Sequence, residues 1–523
     1  MTAPPLANRF VSCAALVVAV LPALTGGAHA YTLVRTSAAS SPLRWPSASQ
    51  PVLMQLSDRI SASLPNMAAG SDPAGAIRRA LSRFPAVSAV RFQDGTTSAV
   101  SGGRDGVNLV SFADTTPNRE IFEMAGGAAV VGLTLYFYSG SELIEADVLF
   151  NPALAFTTTL ATDEELQDAG QFDVQAVATH EFGHVIGLHH TGVESAAMWP
   201  LASVLQRQLD ADDVAGANAL YPAGAGSGTV AGSVTVAGAP AFGAHVVALS
   251  ERGAVAASAL TLPGGTYAIE RLAPGRYTLY AEPLDGPHSS VPADHCVRFG
   301  NLSGAGIYNN AVLTVDFATQ FHDGVDVVAE QTTTANFSLA AGAPAVNPAQ
   351  IGPATLNNGS ISAFVATRPL AVSAGSEQWL AVAGANVDQV PVEGISLGPD
   401  ITVDLDSRRV LNATCDSAPF PFLLFRVAID RGAATGGRTI VLTAVGQPVA
   451  FTAALRLNPA PLPCVGDCDD DGAVTVDELV RGVNIALGNT TLEVCPQFDS
   501  SDDGSVTVDE LVQAVNAALS GCE

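Results

Sequence analysis

From Asp72 onward, Ala76, Ile77, Ala80, Leu81 and Phe84 recur at the spacing of one helix face, and Asp72-Pro73 supplies the start signal for that helix. Runs rich in Val, Phe and Tyr at 89–92, 107–112, 130–138 and 144–150 predict strands, because branched and aromatic side chains fit a half-buried pleated surface. A helix is expected from Asp173, whose carboxylate can accept from the free N–H groups of a first turn, with Val174, Val177 and Ala178 on its core side. Past Pro222 the period changes: Ala-Gly-Ala-Gly-Ser-Gly reads as a flexible linker, and 228–339 alternates apolar and small polar residues in short runs between Gly and Pro, a β-sandwich pattern. Further strand-like runs at 379–382, 401–405, 422–429 and 439–444 predict a second sandwich. Near the C-terminus, Leu479, Val483 and Ile485, then Leu511, Val512 and Val515, stand at apolar spacing in two helices expected over 478–487 and 510–519.

Within residues 180–190, His-Glu-Phe-Gly-His-Val-Ile-Gly-Leu-His-His, the helical pattern acquires chemistry. His180 and His184 are one turn apart on one helix face, close enough for a single ion to bridge. Glu181 lies where its carboxylate can take a proton from a metal-activated water. Gly187 can enter the left-handed conformation cheaply and turn the chain back, so that His190 arrives as third ligand. Three neutral imidazoles with an open fourth position are what a hydrolytic zinc site requires. His189 does not fit the triplet and is expected beside the site or exposed.

The segment 180–190, followed by Met198-Trp199-Pro200, resembles the metzincin zinc metallopeptidases, and among them most closely the matrixins. The resemblance implies a tight turn placing Met198 beneath the metal. It extends more weakly over 31–222, through Arg44-Trp45-Pro46 at the opening and Asp212-Asp213 and Leu220-Tyr221-Pro222 at the close. Glu145-Ala-Asp-Val-Leu-Phe-Asn151 resembles the edge strand on which the family lays its substrate, and 191–200 corresponds to the wall of its specificity pocket. Two family features are missing: a propeptide cysteine, since the only Cys before the site is Cys13, and a recognisable calcium or structural-zinc loop.

Composition sets the context. The 523 residues suffice for several domains, and a formal net charge of -27 argues against nucleic acid as a partner. Residues 1–30 read as a signal peptide: Arg9, an apolar run from Phe10 to Leu24, and Ala28-His29-Ala30 for cleavage after Ala30. No later stretch is long and apolar enough for a transmembrane segment. Export leaves Cys296, Cys415, Cys464, Cys468, Cys495 and Cys522 in an oxidising compartment, which favours disulfide bonds. Cys296 and Cys415 fall in different sandwiches and either tie them together or stay free. In the C-terminal module, Cys464 or Cys468 is expected to pair with Cys495 or Cys522.

Two acidic loops add a second chemistry. Asp467, Asp469, Asp471, Thr475 and Glu478, with Gly472 at the bend, follow the calcium-loop template; Asp499, Ser501, Asp503, Thr507 and Glu510 repeat it 32 residues later with Gly504. Loop and helix duplicated in this way resemble dockerin modules, a paired EF-hand-like calcium fold, which implies a cohesin-like or other cell-surface partner. Residues 228–285 resemble the transthyretin-like (carboxypeptidase regulatory-like) domain.

The expected fold class is thus multidomain: signal peptide 1–30, an α+β metzincin catalytic domain 31–222, all-β sandwiches at 228–340 (transthyretin-like) and 344–458 (Ig-like), and a small α calcium-binding module 464–523. The expected function is that of a secreted or surface-attached zinc endopeptidase acting on protein or peptide substrates of the extracellular matrix type, with Zn2+ and Ca2+ as cofactors and the sandwiches as spacers or substrate platforms. The alternative is a non-catalytic, calcium-stabilised adhesion or scaffold protein with a zinc-binding domain. Retention of Glu181 speaks against it, since holding zinc does not require that carboxylate.

Overall fold

The computed structural model describes residues 12–17, 32–37, 40–283, 317–357, 360–415, 418–460, 464–469, 473–501 and 503–521. The chain forms two compact units, one of 1–372, 377–428 and 434–457, the other of 373–376, 429–433 and 458–523.

The first unit begins with an α/β domain. Its elements are β1 (Ser12–Val17), β2 (Val52–Ser57), α1 (Pro73–Leu81), β3 (Phe92–Thr97), β4 (Asn108–Ser111), α2 (Thr116–Ala125), β5 (Val130–Ser139), β6 (Glu142–Phe150), β7 (Ala155–Thr157), α3 (Asp163–Ala169), β8 (Gln171–Asp173), α4 (Val174–Ile186) and α5 (Ala211–Leu220). Six strands form one sheet in the order β1-β5-β6-β4-β2-β3. β2, β3, β4 and β6 are mutually parallel, and β5 runs antiparallel to β6. β1 lies within the segment expected to be a signal peptide and pairs with β5 in parallel, Leu16 opposite Leu135.

The helices start where the sequence signals them. The Asp72 carboxylate accepts from Gly75 N–H, and that of Asp173 from Ala176 N–H at 2.7 Å. Ala76, Ile77, Ala80 and Phe84 are fully buried against α4, a helix buried along its whole length. β2 has no counterpart among the expected strands. β3 begins only where the run at 89–92 ends, because its sequence Phe-Gln-Asp-Gly-Thr-Thr is that of a solvated outer strand.

The sheet corrects one expectation. β6, read as the edge strand, is internal, between β5 and β4, and Glu145, Ala146, Asp147, Val148 and Leu149 are buried on both of its faces. Its two carboxylates have a structural use. Asp147 accepts from Gly103 N–H at 2.8 Å and Leu109 N–H at 2.9 Å, while Glu145 accepts from Asp105 and Gly106 N–H at 2.7 and 2.8 Å. Together they pin the loop that leads into β4.

The same unit continues into two pairs of sheets. In the first pair, the strands Val255–Leu260, His245–Ser250, Gly275–Glu282 and Gln320–Val327 form one sheet in that order, and Gly228–Val236 with Thr266–Leu272 centre the other. In the second pair, Asn347–Asn357, Glu377–Ala385 and Phe422–Ile429 centre one sheet, and Gly436–Ala444 with Gln447–Asn458 the other. The segment after Pro222 is not a free tether: Gly226 N–H donates to the Glu330 carboxylate at 2.7 Å. These sheets also pack on the first domain. Val193 and Ala196 of the first domain share a buried cluster with Val247, Val255 and Tyr280 and with Ala450 and Ala453. The expected tie between Cys296 and Cys415 cannot be followed, since Cys296 lies outside the described residues.

In the second unit, α6 (Val476–Ala486) and α7 (Val508–Ser520) pack around Ile485, Cys495, Phe498 and Ala514. Cys468 is disulfide-bonded to Cys495. Gly482 leaves the room that the Phe498 ring fills. Of the residues at apolar spacing in these helices, Val483, Val512 and Val515 lie on the exposed face. No helix among the described residues is long and apolar enough to cross a membrane.

Burial pushes the Asp147 carboxyl up to about 7, against its two backbone donors. A carboxyl whose folded pKa is raised stabilises the fold most when protonated, so this contribution is complete below about pH 4 and lost as pH rises through about 7. Asp147→Asn is expected to flatten the fall in stability between pH 4.5 and 8 by a few kcal/mol. Denaturant melts of both forms at the two pH values check this; equal slopes would refute it.

Candidate metal centre

α4 carries His180 and His184 on one face, and its end is built to return the chain. Gly187, at φ 103°, accepts the left-handed conformation, and any β-carbon there would overlap the Leu43 carbonyl oxygen. Three distant segments close over this terminus. Trp45 Nε1–H donates to Val185 O at 2.8 Å, Tyr221 O–H donates to Ile186 O at 2.9 Å, and Val34 N–H donates to Gly187 O at 2.9 Å. The opening Trp45 and the closing Tyr221 singled out in the sequence thus do the same job, satisfying carbonyls that a helix end leaves without partners.

The imidazoles of His180, His184 and His190 then meet. His180 Nε2 lies 3.1 Å from His184 Nε2 and 3.2 Å from His190 Nε2, and all three rings are fully buried. Nδ1 of His180 faces Ala197 O at 2.7 Å, and Nδ1 of His184 faces Leu188 O at 2.9 Å. Carbonyls only accept, so both Nδ1 atoms carry the proton and both Nε2 atoms present lone pairs to the shared centre. Burial, then the neighbouring His184 and His190, drives the His180 pKa well below its ordinary value, and burial pushes His184 down to about 4. Neutral rings with converging lone pairs repel one another unless a cation stands between them. A tetrahedral zinc with nitrogen ligands at about 2.0–2.1 Å sets those nitrogens about 3.3 Å apart, close to the spacing found. The residues fit the metal.

His189 is buried, contrary to one of its expected placements, and outside the triplet. Its Nδ1 accepts from the His190 N–H at 2.9 Å, and its own N–H donates to Thr32 O at 2.6 Å. Glu181 is fully buried beside the centre. Thr134 O–H on β5 donates to its Oε2 at 2.7 Å, and a β-carbon on Gly132 would come within 2.9 Å of its Oε1. Sequence reading assigned Thr134 and Gly132 only to a strand; the alternation along β5 that aims both at α4 was the available signal.

Met198 lies beneath the histidines, under Gly183. Its turn is closed by Thr191 N–H to Met198 O at 3.1 Å and held from α5: the Asp213 carboxylate accepts from Ala197 and Met198 N–H at 2.7 and 3.1 Å. Asp212 next to it accepts from Thr191 O–H at 2.7 Å and from Ser258 N–H at 2.6 Å. Gln206 donates to both Ala197 O and Trp199 O. The acidic pair of the closing helix therefore anchors the segment that carries the third ligand.

Of the acidic loops, the first gathers Asp467, Asp469 and Glu478 within 4.8 Å of one another, a fit to a hard cation; Asp471 lies outside the described residues. The second does not gather its set in this way among the described residues. Asp499 turns to the N–H groups of Asp503 and Gly504, and Ser501 N–H donates to Glu510 at 2.9 Å. Thr475 and Thr507 cap α6 and α7, each in a reciprocal box with Glu478 or Glu510. Burial raises the Glu510 carboxyl, but the Thr507 and Ser501 donors outweigh it and hold it down to about 2.

A methyl group at position 183 would overlap the Met198 sulfur. Gly183→Ala is expected to cost about 1–3 kcal/mol and to weaken zinc uptake, because the helix and the Met198 turn must separate. Calorimetric melting and zinc titration check both; a variant that keeps wild-type values would show that the contact is slack.

The matrixin family matches residues 54–222. The hatching enzyme of Paracentrotus lividus is 51% identical over 55 residues, 10% of this chain and 9% of that protein. Metalloendoproteinase 1-MMP of Arabidopsis thaliana is 40% identical over 67 residues, 12% of this chain and 18% of that protein. The chain thus spans under a fifth of the length of these curated relatives. Among solved structures, the major pilin subunit BcpA of Bacillus cereus aligns with 45% of this chain and 69% of its own at 11% identity, and its TM-score of 0.13 carries no argument. With the three-histidine cluster inside the matched span, residues 54–222 form a matrixin domain.

Proposed function

We propose that this protein is a secreted zinc metalloendopeptidase. The observation that carries the reading is the trio of Nε2 atoms held face to face, with Glu181, equally buried, next to His180 on the same helix. Zinc, when bound there, supplies a Lewis acid that polarises a scissile carbonyl and lowers the pKa of water toward about 7. Glu181 receives the proton of the attacking water and passes it to the leaving amine. Thr134 holds the Glu181 carboxylate toward the centre. In a chain processed after Ala30, β1 is gone and β5 becomes the free edge, to which an extended peptide can add by main-chain hydrogen bonds. The Thr134 bond favours catalysis over a scaffold role, since zinc binding alone needs no oriented carboxylate.

The C-terminal module is read as a dockerin-like calcium fold that docks a protein partner. Val476, Val480, Val483 and Leu487 on α6 and Val508, Val512, Val515 and Leu519 on α7 are all exposed, and the two sets repeat position for position. Two matching apolar stripes on a small module are a recognition surface more than a folding need. The two sandwiches are read as transthyretin-like and immunoglobulin-like.

Incubating the mature chain with denatured proteins and sequencing the new termini tests the activity. Glu181→Ala is expected to abolish cleavage while keeping zinc, and Thr134→Val to lower kcat by about 10- to 100-fold with KM little changed. Equal digestion by wild type and Glu181→Ala would reject the mechanism. For the module, calcium is expected to raise the melting temperature of the full chain, and Glu478→Ala to reduce that gain. Calcium titration followed by calorimetry reads it, and a melting curve indifferent to calcium would remove the ion from the account.

A further inference from the structure

The segment between His190 and α5 is largely buried, and while most of its polar groups find partners inside the matrixin domain, the carbonyls of Ser195 and Leu209 are satisfied from outside it. We propose that Arg456, in the second pair of sheets, is a positioning residue for the three-histidine site, so that those sheets form part of the wall of the metal centre. The inference rests on the metal-binding reading above.

Arg456 is buried and reaches across from the strand Gln447–Asn458. Its Nη1 donates to Ser195 O at 2.9 Å and its Nη2 to Leu209 O at 3.2 Å, with Nη1 3.8 Å from the Asp210 carboxylate. Asp210 accepts from the Ser195 hydroxyl and from Ala211 N–H, so the guanidinium, Ser195 and Asp210 form one closed group. Two carbonyls 14 residues apart in the sequence are thereby clasped by one planar fork.

Inside that clasp lies the backbone that orients the ligands. Ala197 O, which fixes the Nδ1 proton of His180, is two residues from Ser195, and Thr191, next to His190, is tied to Met198 in the same turn. A second approach from the same sheets supports the contact. Gly437 packs so closely on Ser195 that a β-carbon would overlap its hydroxyl and come within 3.2 Å of Asp210. Arg368 reaches the loop indirectly, through Asp163 of α3. It lies 3.4 Å from Asp163, whose carboxylate accepts from Ser203 O–H at 2.5 Å and Val204 N–H at 2.7 Å. Direct hydrogen-bond partners of a metal's ligands, here Ala197 O, change metal affinity by about 10- to 100-fold when lost; Arg456 acts one step further out, on the backbone that carries Ala197, so its removal is placed at the lower end of that range.

The test uses the full mature chain as wild type, Arg456→Ala, Arg456→Lys, Gly437→Ala and, as a surface control, Arg426→Ala, whose side chain is half exposed in a pair with Asp404. Zinc affinity is measured by competition with a chelating indicator, and amide hydrogen exchange is followed in peptides covering 188–210. Arg456→Ala and Gly437→Ala are expected to bind zinc about tenfold more weakly, with faster exchange confined to that loop. Arg456→Lys should lie between, since a point charge replaces one arm of the fork. Affinity within twofold of wild type with unchanged exchange overturns the proposal, as does exchange that rises across the whole of 40–457, which would make Arg456 a general prop. A wild-type chain that binds zinc but cuts nothing rejects the peptidase reading and leaves the clasp to be judged by the same two measurements. One that takes up no zinc overturns both.

Discussion

Three imidazole lone pairs aimed at one point are the constraint around which the matrixin domain is arranged. Left alone, such groups would rotate apart or take up a proton, and the surroundings forbid both. Two Nδ1 atoms are committed to backbone carbonyls, which fixes each ring's tautomer and direction. Complete burial keeps the rings neutral. A helix buried on all sides, a glycine that ends it and a methionine packed beneath it hold the geometry that only a cation relieves.

The same logic extends outward through backbone accounting. A loop that turns under a metal site has carbonyls and amides that water cannot reach, and each needs a partner. Asp213 and Gln206 supply several from within the domain, and Arg456 serves the carbonyls of Ser195 and Leu209 from the sheets that follow. Those two carbonyls tie the segment 191–209 to the rest of the first unit. Val193 and Ala196 add the apolar side of the contact, meeting small residues and Tyr280 from the neighbouring sheets.

At the C-terminus, one glutamate in each repeat serves two ends. Glu478 and Glu510 complete capping boxes with Thr475 and Thr507, and also hold the N–H of Cys468 or Ser501 within the acidic loop. The helix start and the acidic loop are therefore one structure, and the disulfide between Cys468 and Cys495 closes the same module. With so small a core, a covalent tie substitutes for buried area.

Much of the metal centre was legible in the order of residues, because it is local: His180, Glu181, His184, Gly187 and His190 obey helix and turn geometry within eleven positions, and Met198 follows shortly after. The helix starts at Asp72 and Asp173, the strand-rich middle of the chain and the repeat of the acidic loops were legible for the same reason. What the order of residues left undetermined is non-local. It placed β6 at an edge, since a mixed acidic and apolar strand looks half solvated until Gly103, Asp105, Gly106 and Leu109 are seen to use its carboxylates. It marked Val483, Val512 and Val515 as apolar positions, because helical spacing shows an apolar face without saying whether anything covers it. It gave no sign that the sheets beyond Pro222 share a buried cluster with the first domain, and no hint of Thr134 or Arg456. Periodicity reports what a residue can do with neighbours a few positions away; which buried carbonyl an arginine some 260 residues downstream will satisfy is decided only when the tertiary fold brings the two together.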